Sequence, residues 1–338
     1  MLLITFGTRP EYIKVKPVME ELKSRGFKYK TFFTGQHRDL LKNIDKPDCE
    51  LVIDDGPNRL DSIVQAILNN EEIFEDISCV MVQGDTTSAF ATALAAFHRK
   101  IPVAHLEAGL RTYDKYSPYP EEFNRKAISA LAEVHFPPTQ TAKKRLMKEG
   151  YKEKIFVVGN TVLDNLSSLD PSDTNTVIVT LHRREKHHEI AKWFIAINEL
   201  AKKNKHLNFI LPIHPNPMVK KHQDLLTSVI VYPPMEHEEF ISRLSRCKYI
   251  ITDSGGIQEE AAFLKKPCIV CRDFTERDEG LGTFSILCAT VEELEDSFTW
   301  AKEVDLSNEE CPYGDGKSSI YIADIYTKTK KYLTNSII

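Results

Sequence analysis

Short apolar runs, each followed by a helical pattern, recur along the whole chain, and this alternation constrains the fold more than any other feature. In the first half LLITF (2–6) precedes a helical pattern near 10–25, and YKTFF (29–33) follows. ISCVMVQ (77–83) leads into an alanine-rich helix over 86–99, and IPVAHL (101–106) precedes a loop and a helix near 120–133. VHFPP, a helix near 139–149 and KIFVVG (154–159) close the half. Such βαβ punctuation predicts a parallel sheet with helices on both faces. The segment SSLDPSDTNT (167–176) is polar, proline-bearing and aperiodic, and reads as a linker. Beyond it the pattern restarts with NTVIVTL (175–181), LNFILPI (207–213), SVIVYP (228–233), KYIITD (248–253) and PCIVC (267–271). Helices are expected between these runs, near 188–204, 217–226, 237–246 and 256–264. The expectation is therefore an α/β chain of two doubly wound, Rossmann-like domains, 1–168 and 174–317, facing a cleft that would hold a shared ligand. A last amphipathic pattern near 318–334 suits packing on either domain, and 318–338 is assigned as a C-terminal helix returning to the N-terminal one.

Composition excludes several classes. At 338 residues, 42% hydrophobic and 28% charged, the chain can bury two cores. A formal net charge of −5 gives no sign of a nucleic-acid partner. Lys202, Lys203, Lys205, Lys220 and Lys221 read as solvated helix faces. No stretch approaches the roughly 20 apolar residues of a membrane helix, and MLLITFGTRP lacks the basic region of a signal peptide. A soluble, cytoplasmic protein with reduced thiols is expected. Of the seven cysteines, Cys268 and Cys271 form a Cys-x-x-Cys in a predicted strand, where no helix N-terminus favours a thiolate. Neither a redox nor a metal role is assigned.

The second half carries a binding signal, ITDSGGIQEEA (251–261). A strand ends at Asp253, and Ser254, Gly255 and Gly256 open a helix. Glycines there allow backbone N–H groups to approach an anion, and the helix dipole favours negative charge. Glu260, one turn on, is an acceptor suited to ribose hydroxyls. Arg277, in RDFTER (272–277), is the candidate cation. A plain glycine-rich turn is the alternative. In the first half FGTRPEYIK (6–14) places Arg9 and Lys14 after a strand end, the first able to grip a phosphate bidentately and the second a point charge. For Lys14 alone a solvated helix face is equally compatible.

Three carboxylates mark the other end. Asp85 follows a buried strand, although it is also a favoured N-cap residue. Glu107 follows the strand 101–106. Glu121 and Glu122 both fall in a first helical turn, where the dipole alone would welcome either. His105 reads as a satisfied strand histidine. His182, after VIVTL and before Arg183 and Arg184, is the better site candidate. Carboxylates at the C-terminal ends of parallel strands face the ligand crevice of open α/β sheets, so acid–base chemistry is expected.

Taken in order, FGTRPEYIK, TGQH, QGDTTSA, HLEAGLRT, SPYPEEFNR, VGNTVLD, TLHRRE, ITDSGGIQEEA, RDFTER and PYGDGK resemble the motif series of the non-hydrolysing UDP-N-acetylglucosamine 2-epimerases. The resemblance runs from residue 2 to about 320. It implies the fold of the B-type glycosyltransferases, with UDP held mainly by the C-terminal domain, a homodimer, and no metal or redox cofactor. It implies reversible conversion of UDP-N-acetylglucosamine to UDP-N-acetylmannosamine by anti elimination of UDP through 2-acetamidoglucal and readdition, supplying surface polysaccharide precursors. Asp85, Glu107 and Glu121 would form the acid–base set, with His182 beside the diphosphate. Arg9, Lys14, Ser254, Gly255, Gly256, Glu260 and Arg277 would bind UDP, and Phe240, in MEHEEF, would border the uracil.

The chain departs from the family pattern in places. Lys186 follows Glu185 where Asn or Ser is usual. PNRLDSI lacks a Gln of the region that binds a regulatory substrate molecule, while Gln36 and His37 of that region persist. Met235 stands where Gln or Leu is common, a gap follows TGQHRDLL, and GKSSIYI replaces Ala-Ser-x-Arg. Another UDP-2-acetamido sugar is one alternative these changes leave open. A hydrolysing 2-epimerase that releases N-acetylmannosamine and UDP is another. Two further classes, a glycosyltransferase of the same architecture and a nucleotide-sugar binding module, would not exchange the C2 hydrogen.

Overall fold

The computed structural model describes residues 1–37, 44–53, 56–152, 154–169, 171–182 and 188–333, with side chains to residue 328. The chain forms two compact units, Met1–Asn165 with Gly314–Ile338, and Leu166–Tyr313. The first contains β1 (Leu2–Phe6), α1 (Arg9–Ser24), β2 (Tyr29–Phe33), β3 (Cys49–Glu50), α2 (Arg59–Leu68) and β4 (Cys79–Gln83). It continues with α3 (Thr87–His98), β5 (Val103–Leu106), α4 (Glu121–Leu131), β6 (Val134–Phe136) and α5 (Gln140–Lys148). The second contains β7 (Thr176–Thr180), α6 (Ile190–Lys203), β8 (Asn208–Pro212), α7 (Pro217–Lys220), β9 (Ile230–Tyr232) and α8 (His237–Arg246). After these come β10 (Tyr249–Thr252), α9 (Gly255–Phe263), β11 (Cys268–Val270), β12 (Ser285–Leu287) and α10 (Leu294–Glu303). The last helix, α11 (Ser318–Leu333), belongs to the first unit.

Each unit holds a six-stranded parallel sheet, in the spatial orders β3-β2-β1-β4-β5-β6 and β12-β11-β10-β7-β8-β9. Read from its own first strand, the second sheet has the same order as the first. β1 pairs with β2 on one side and β4 on the other, with Leu2 opposite both Tyr29 and Cys79. β7 is likewise flanked by β8 and β10. These central positions explain the unbroken apolar runs, since a parallel strand covered on both faces has no polar side to display. In β1, Leu2, Ile4 and Phe6 join one core layer and Leu3 the other, the alternation that a strand dictates. Strand order reverses between β1 and β4, and again between β7 and β10. Such switch points open a crevice at the C-terminal strand ends.

α11 packs on the first unit through Ile322, Ala323 and Tyr326, which enter the same layer as Leu2. Tyr326 meets Phe27 edge-on, and Arg25 pairs with Asp324 at 2.5 Å. Asp164 accepts the backbone N–H groups of Ser318 (3.0 Å) and Ser319 (2.7 Å) at the start of α11.

Several local expectations change. The run 154–159 is not a strand: it follows β6 through only a few backbone bonds, including His135 N to Lys154 O and Phe156 N to His135 O, both 2.9 Å. Pro137 and Pro138 end β6 there, having no N–H to continue a ladder. The helix expected over 217–226 is the four-residue α7 and a separate 3-10 turn, Gln223–Leu225. α2, α10, β3 and β12 lie outside the elements expected from the sequence. The polar segment thought to be a linker is tied down beyond residue 170: Ser172 N and Thr174 N bond to Ser245 O and Arg246 O, and Lys266 pairs with Asp173 at 2.5 Å.

Cys268 and Cys271 are buried, and burial pushes both thiols up, so neither is poised as a thiolate. Lys202 and Lys203 are solvated partners of Glu199 and Glu295. Among the described residues no helix is long and apolar enough to cross a membrane, and no side-chain group is arranged to hold a metal ion.

Candidate active site

In the first unit the site begins where β1 ends. A Cβ on Gly7 would lie 2.3 Å from Thr34 Oγ1 and 2.4 Å from Ser88 Oγ, so the close approach requires glycine. Thr8 then caps α1 in a capping box with Glu11. Arg9 is the first residue of α1 and half-buried. Glu11 is buried and accepts from Gly7 N (3.0 Å), Thr8 N (2.8 Å), Thr8 Oγ1 (2.8 Å) and Thr86 Oγ1 (2.6 Å). Burial pushes its carboxyl up while these donors oppose the shift. Glu11 thereby ties the turn after β1 to the turn after β4, a link with no sequence signal beyond its capping position.

The turn after β4 passes through Gly84 at φ +69° and then Asp85. Asp85 is not the cap of α3; Thr86 is, accepting from Ala89 N. Instead, Asp85 Oδ2 is gripped by Arg125 Nε at 2.7 Å and by a second guanidinium nitrogen, also at 2.7 Å. Asn124 donates to the Asp85 carbonyl at 2.9 Å. Glu107 follows β5 with φ +59°, a left-handed conformation uncommon for a non-glycine residue. Its Oε2 meets Lys14 Nζ at 2.5 Å and also accepts from Gln83 Nε2, while its Oε1 accepts from Asn160 Nδ2 at 3.4 Å. Lys14, expected at the diphosphate, thus lies beside Glu107.

The adjacent glutamates of α4 separate cleanly. Glu122 is buried and accepts from Thr112 N (2.9 Å), Tyr113 N (3.0 Å) and Arg125 (3.4 Å), which marks it as structural. Glu121 is the first residue of α4 and half-buried, four residues ahead of the arginine that holds Asp85. His105 donates from Nε2 to the Gly84 carbonyl at 2.8 Å, fixing the spacing of the β4 and β5 ends. Burial pushes its pKa down to about 3, so it is neutral there. Gln36, from the proposed regulatory region, accepts from Ser88 Oγ at 2.7 Å.

The second unit builds its site at its own switch point. His182 lies just beyond β7, and its backbone N–H donates to Asp253 Oδ2 at 2.8 Å. His182 Nδ1 is 3.6 Å from Asp253 Oδ1, and its ring stacks on His214 with centroids 5.4 Å apart. Arg183, Arg184, Glu185 and Lys186 lie outside the described residues. Ser254 precedes α9 and caps it through no side-chain bond, leaving its hydroxyl available to a ligand. A Cβ on Gly255 would stand 2.6 Å from an Arg277 guanidinium nitrogen, so glycine lets that cation lie over the start of α9. Gly256 is open on its Cβ side.

Arg277 is held from several directions. Its Nε meets Glu259 Oε1 at 2.8 Å and its NH1 meets Glu276 Oε1 at 2.6 Å. Its carbonyl accepts from Gln258 Nε2 at 2.9 Å and Tyr313 OH at 3.0 Å. No supporting role was assigned to these residues from sequence, although Gln258 and Glu259 lie in ITDSGGIQEEA, Glu276 in RDFTER and Tyr313 in PYGDGK. Glu260 is buried on α9, and Phe240 is half-buried on α8. The structure therefore gathers Asp85, Glu107 and Lys14 at neighbouring strand ends of one unit, with Glu121 on the helix that grips Asp85. It gathers Ser254, Gly255 and Arg277 at one helix start of the other, beside the His182–Asp253 pair.

Two doubly wound sheets, one bearing carboxylates at adjacent strand ends and the other a glycine-opened helix start under an arginine, define a nucleotide-sugar enzyme of the B-type glycosyltransferase fold. Over residues 20–327 the chain matches the family model described as UDP-N-acetylglucosamine 2-epimerase. It belongs to that family. It is 40% identical to the UDP-N-acetylglucosamine 2-epimerase of Neisseria meningitidis, over 97% of this chain and all of the relative. A crystal structure of the Neisseria meningitidis enzyme bound to UDP-GlcNAc is similar with a TM-score of 0.86 and 38% identity, covering 97% of this chain and 99% of that one. Acinetobacter baumannii MurG, at 14% identity and a TM-score of 0.63 over 97% of this chain and 99% of its own, shares the fold alone.

Proposed function

We propose that this isomerase interconverts UDP-N-acetylglucosamine and UDP-N-acetylmannosamine at C2. A base removes the C2 proton, the C–H electron pair becomes the C1–C2 double bond, and the C1–O bond breaks with its pair leaving on UDP. UDP oxygen then adds back to C1 while an acid delivers a proton to the opposite face of C2. The observation that carries this reading is the placement of Asp85 and Glu107 at adjacent strand ends, each fixed by cations and amides, in a chain that matches the family from residue 20 to 327. The C2 proton is weakly acidic, so its base must be positioned and kept from water. Glu121 completes the acid–base set. His182, oriented by Asp253, stands with the diphosphate. UDP departs as an anion, and the start of α9, Ser254 and Arg277 suit its retention until readdition. Arg9, Glu260 and Phe240 are the remaining ligand contacts. Neither half of the chemistry requires a metal or redox cofactor.

Incubation with UDP-N-acetylglucosamine in deuterated water, followed by proton NMR, tests the reading. Deuterium at C2 of both sugars is expected. Product with C2 still fully protonated would overturn the elimination, and free N-acetylmannosamine as the main product would mark the hydrolysing chemistry instead. A homodimer in the cytoplasm is the expected setting. Phe97 and Phe123, both more than half exposed on α3 and α4, support a self-association surface, which sedimentation analysis checks.

A further inference from the structure

The motif VGNTVLD has no part in the chemistry above, yet it places a buried amide against Glu107. Asn160 is 2% exposed. Its Oδ1 accepts from Val162 N at 3.2 Å, so its Nδ2 must face the other way, toward Glu107 Oε1. Gln83, 3% exposed at the end of β4, donates to the other carboxylate oxygen. With Lys14, three donors converge on one side chain. Donors to a carboxylate stabilise its charged form. Neutral amides do so without adding a proton that Glu107 itself could take.

The backbone around Asn160 is itself constrained. Gly159 lies against Gly314, where an added Cβ would meet Gly159 Cα at 2.9 Å. Four residues on, Asp164 is fastened to the start of α11. Asn160 therefore sits in a segment clamped on both sides, as an orienting group requires.

We propose that Asn160 and Gln83 are positioning residues that keep Glu107 ionised and aimed, one amide per carboxylate oxygen. The proposal rests on the reading of Glu107 as an acid–base group. Its test is the pH profile of kcat for Asn160→Leu, Asn160→Asp and Gln83→Met, alongside UDP affinity by calorimetry and Glu107→Gln as reference. Each variant should lower kcat by about tenfold to hundredfold with KM and UDP affinity within about threefold. The acid limb of the profile should move to higher pH by about one unit, and further for Asn160→Asp, which sets a second carboxylate beside the first. Asn160→Gln, retaining an amide donor, should recover part of the loss. An unmoved acid limb, or a kcat loss that tracks UDP affinity, overturns the proposal. If Asn160→Leu does not fold, Gln83→Met and Asn160→Asp decide the matter by the same limb. Full turnover by Glu107→Gln would instead overturn the assignment of Glu107 itself, whatever the amide variants do.

Discussion

Two histidines lie side by side in the first sheet, and acid should act on the fold through them. His105 on β5 is opposite His135 on β6, and both are buried. Burial pushes their pKa values from 6.5 down to about 3 and about 4, with the Arg111 cation adding to the effect on each. The hydrogen bond to the Gly84 carbonyl and then Glu107 oppose it at His105, and Glu133 opposes it at His135. Both rings are therefore neutral in the native protein, whereas the unfolded chain binds a proton at each below the ordinary value. Stability is then fully present above pH 6.5 and falls as pH drops toward 4. Each group contributes about 1.4 kcal/mol per pH unit in that window. At pH 5, 1.5 units below the unfolded value, the pair accounts for about 4 kcal/mol of lost stability. Glu11, whose carboxyl is pushed up, acts with the opposite sign, so only a difference between variants isolates the histidines. Urea unfolding by far-UV circular dichroism at pH 7.5, 6 and 5 would compare the wild type with His105→Gln and His135→Phe. Both tryptophans, Trp193 and Trp300, belong to the second unit, so their fluorescence is an internal control. Each variant should lose about 2 kcal/mol of the decline between pH 7.5 and 5 in the dichroism transition. Slopes that match the wild type would refute the reasoning.

Glu122→Gln should cost about 2–3 kcal/mol in urea unfolding, because two backbone N–H groups and Arg125 lose a buried anion. Glu121→Gln should lower kcat by about hundredfold or more in steady-state assays. Gly255→Ala should weaken UDP binding by about tenfold in calorimetry, since the new methyl displaces the Arg277 guanidinium. Asp164→Ala should destabilise the fold by about 1–2 kcal/mol in urea unfolding, through two lost N–H acceptors and a lost charge at the start of α11.

Much of the fold was legible because parallel strands advertise themselves. LLITF and CVMVQ are mostly apolar and wholly buried, and the residues just beyond such strands face a crevice, which is why Asp85, Glu107 and Ser254 stood out. The supports of the site had no comparable signal. Glu11, Asn160 and Tyr313 act through partners 75, 53 and 36 residues away, at Thr86, Glu107 and Arg277. Periodicity describes one element at a time and is blind to such pairings. Glu121 and Glu122 are indistinguishable by helix position, and only the loop at Thr112 and Tyr113 tells them apart. KIFVVG misled because its apolar run is real, while Pro137 and Pro138, just beyond the neighbouring β6, refuse a full ladder.

The placement of α11 has a consequence for how the protein is made. Ile322, Ala323 and Tyr326 complete a core layer whose other members are all in hand by Val158. A ribosome adding roughly 5–20 residues per second needs about ten to thirty seconds to pass from the end of that first stretch to the final helix. Through that interval the side of α1 that α11 packs on, with Phe27 beside it, waits uncovered while the whole second unit is synthesised and folds. The nascent chain thus presents a greasy face for which a chaperone competes. A message truncated anywhere in the second unit would release a protein with that face permanently bare.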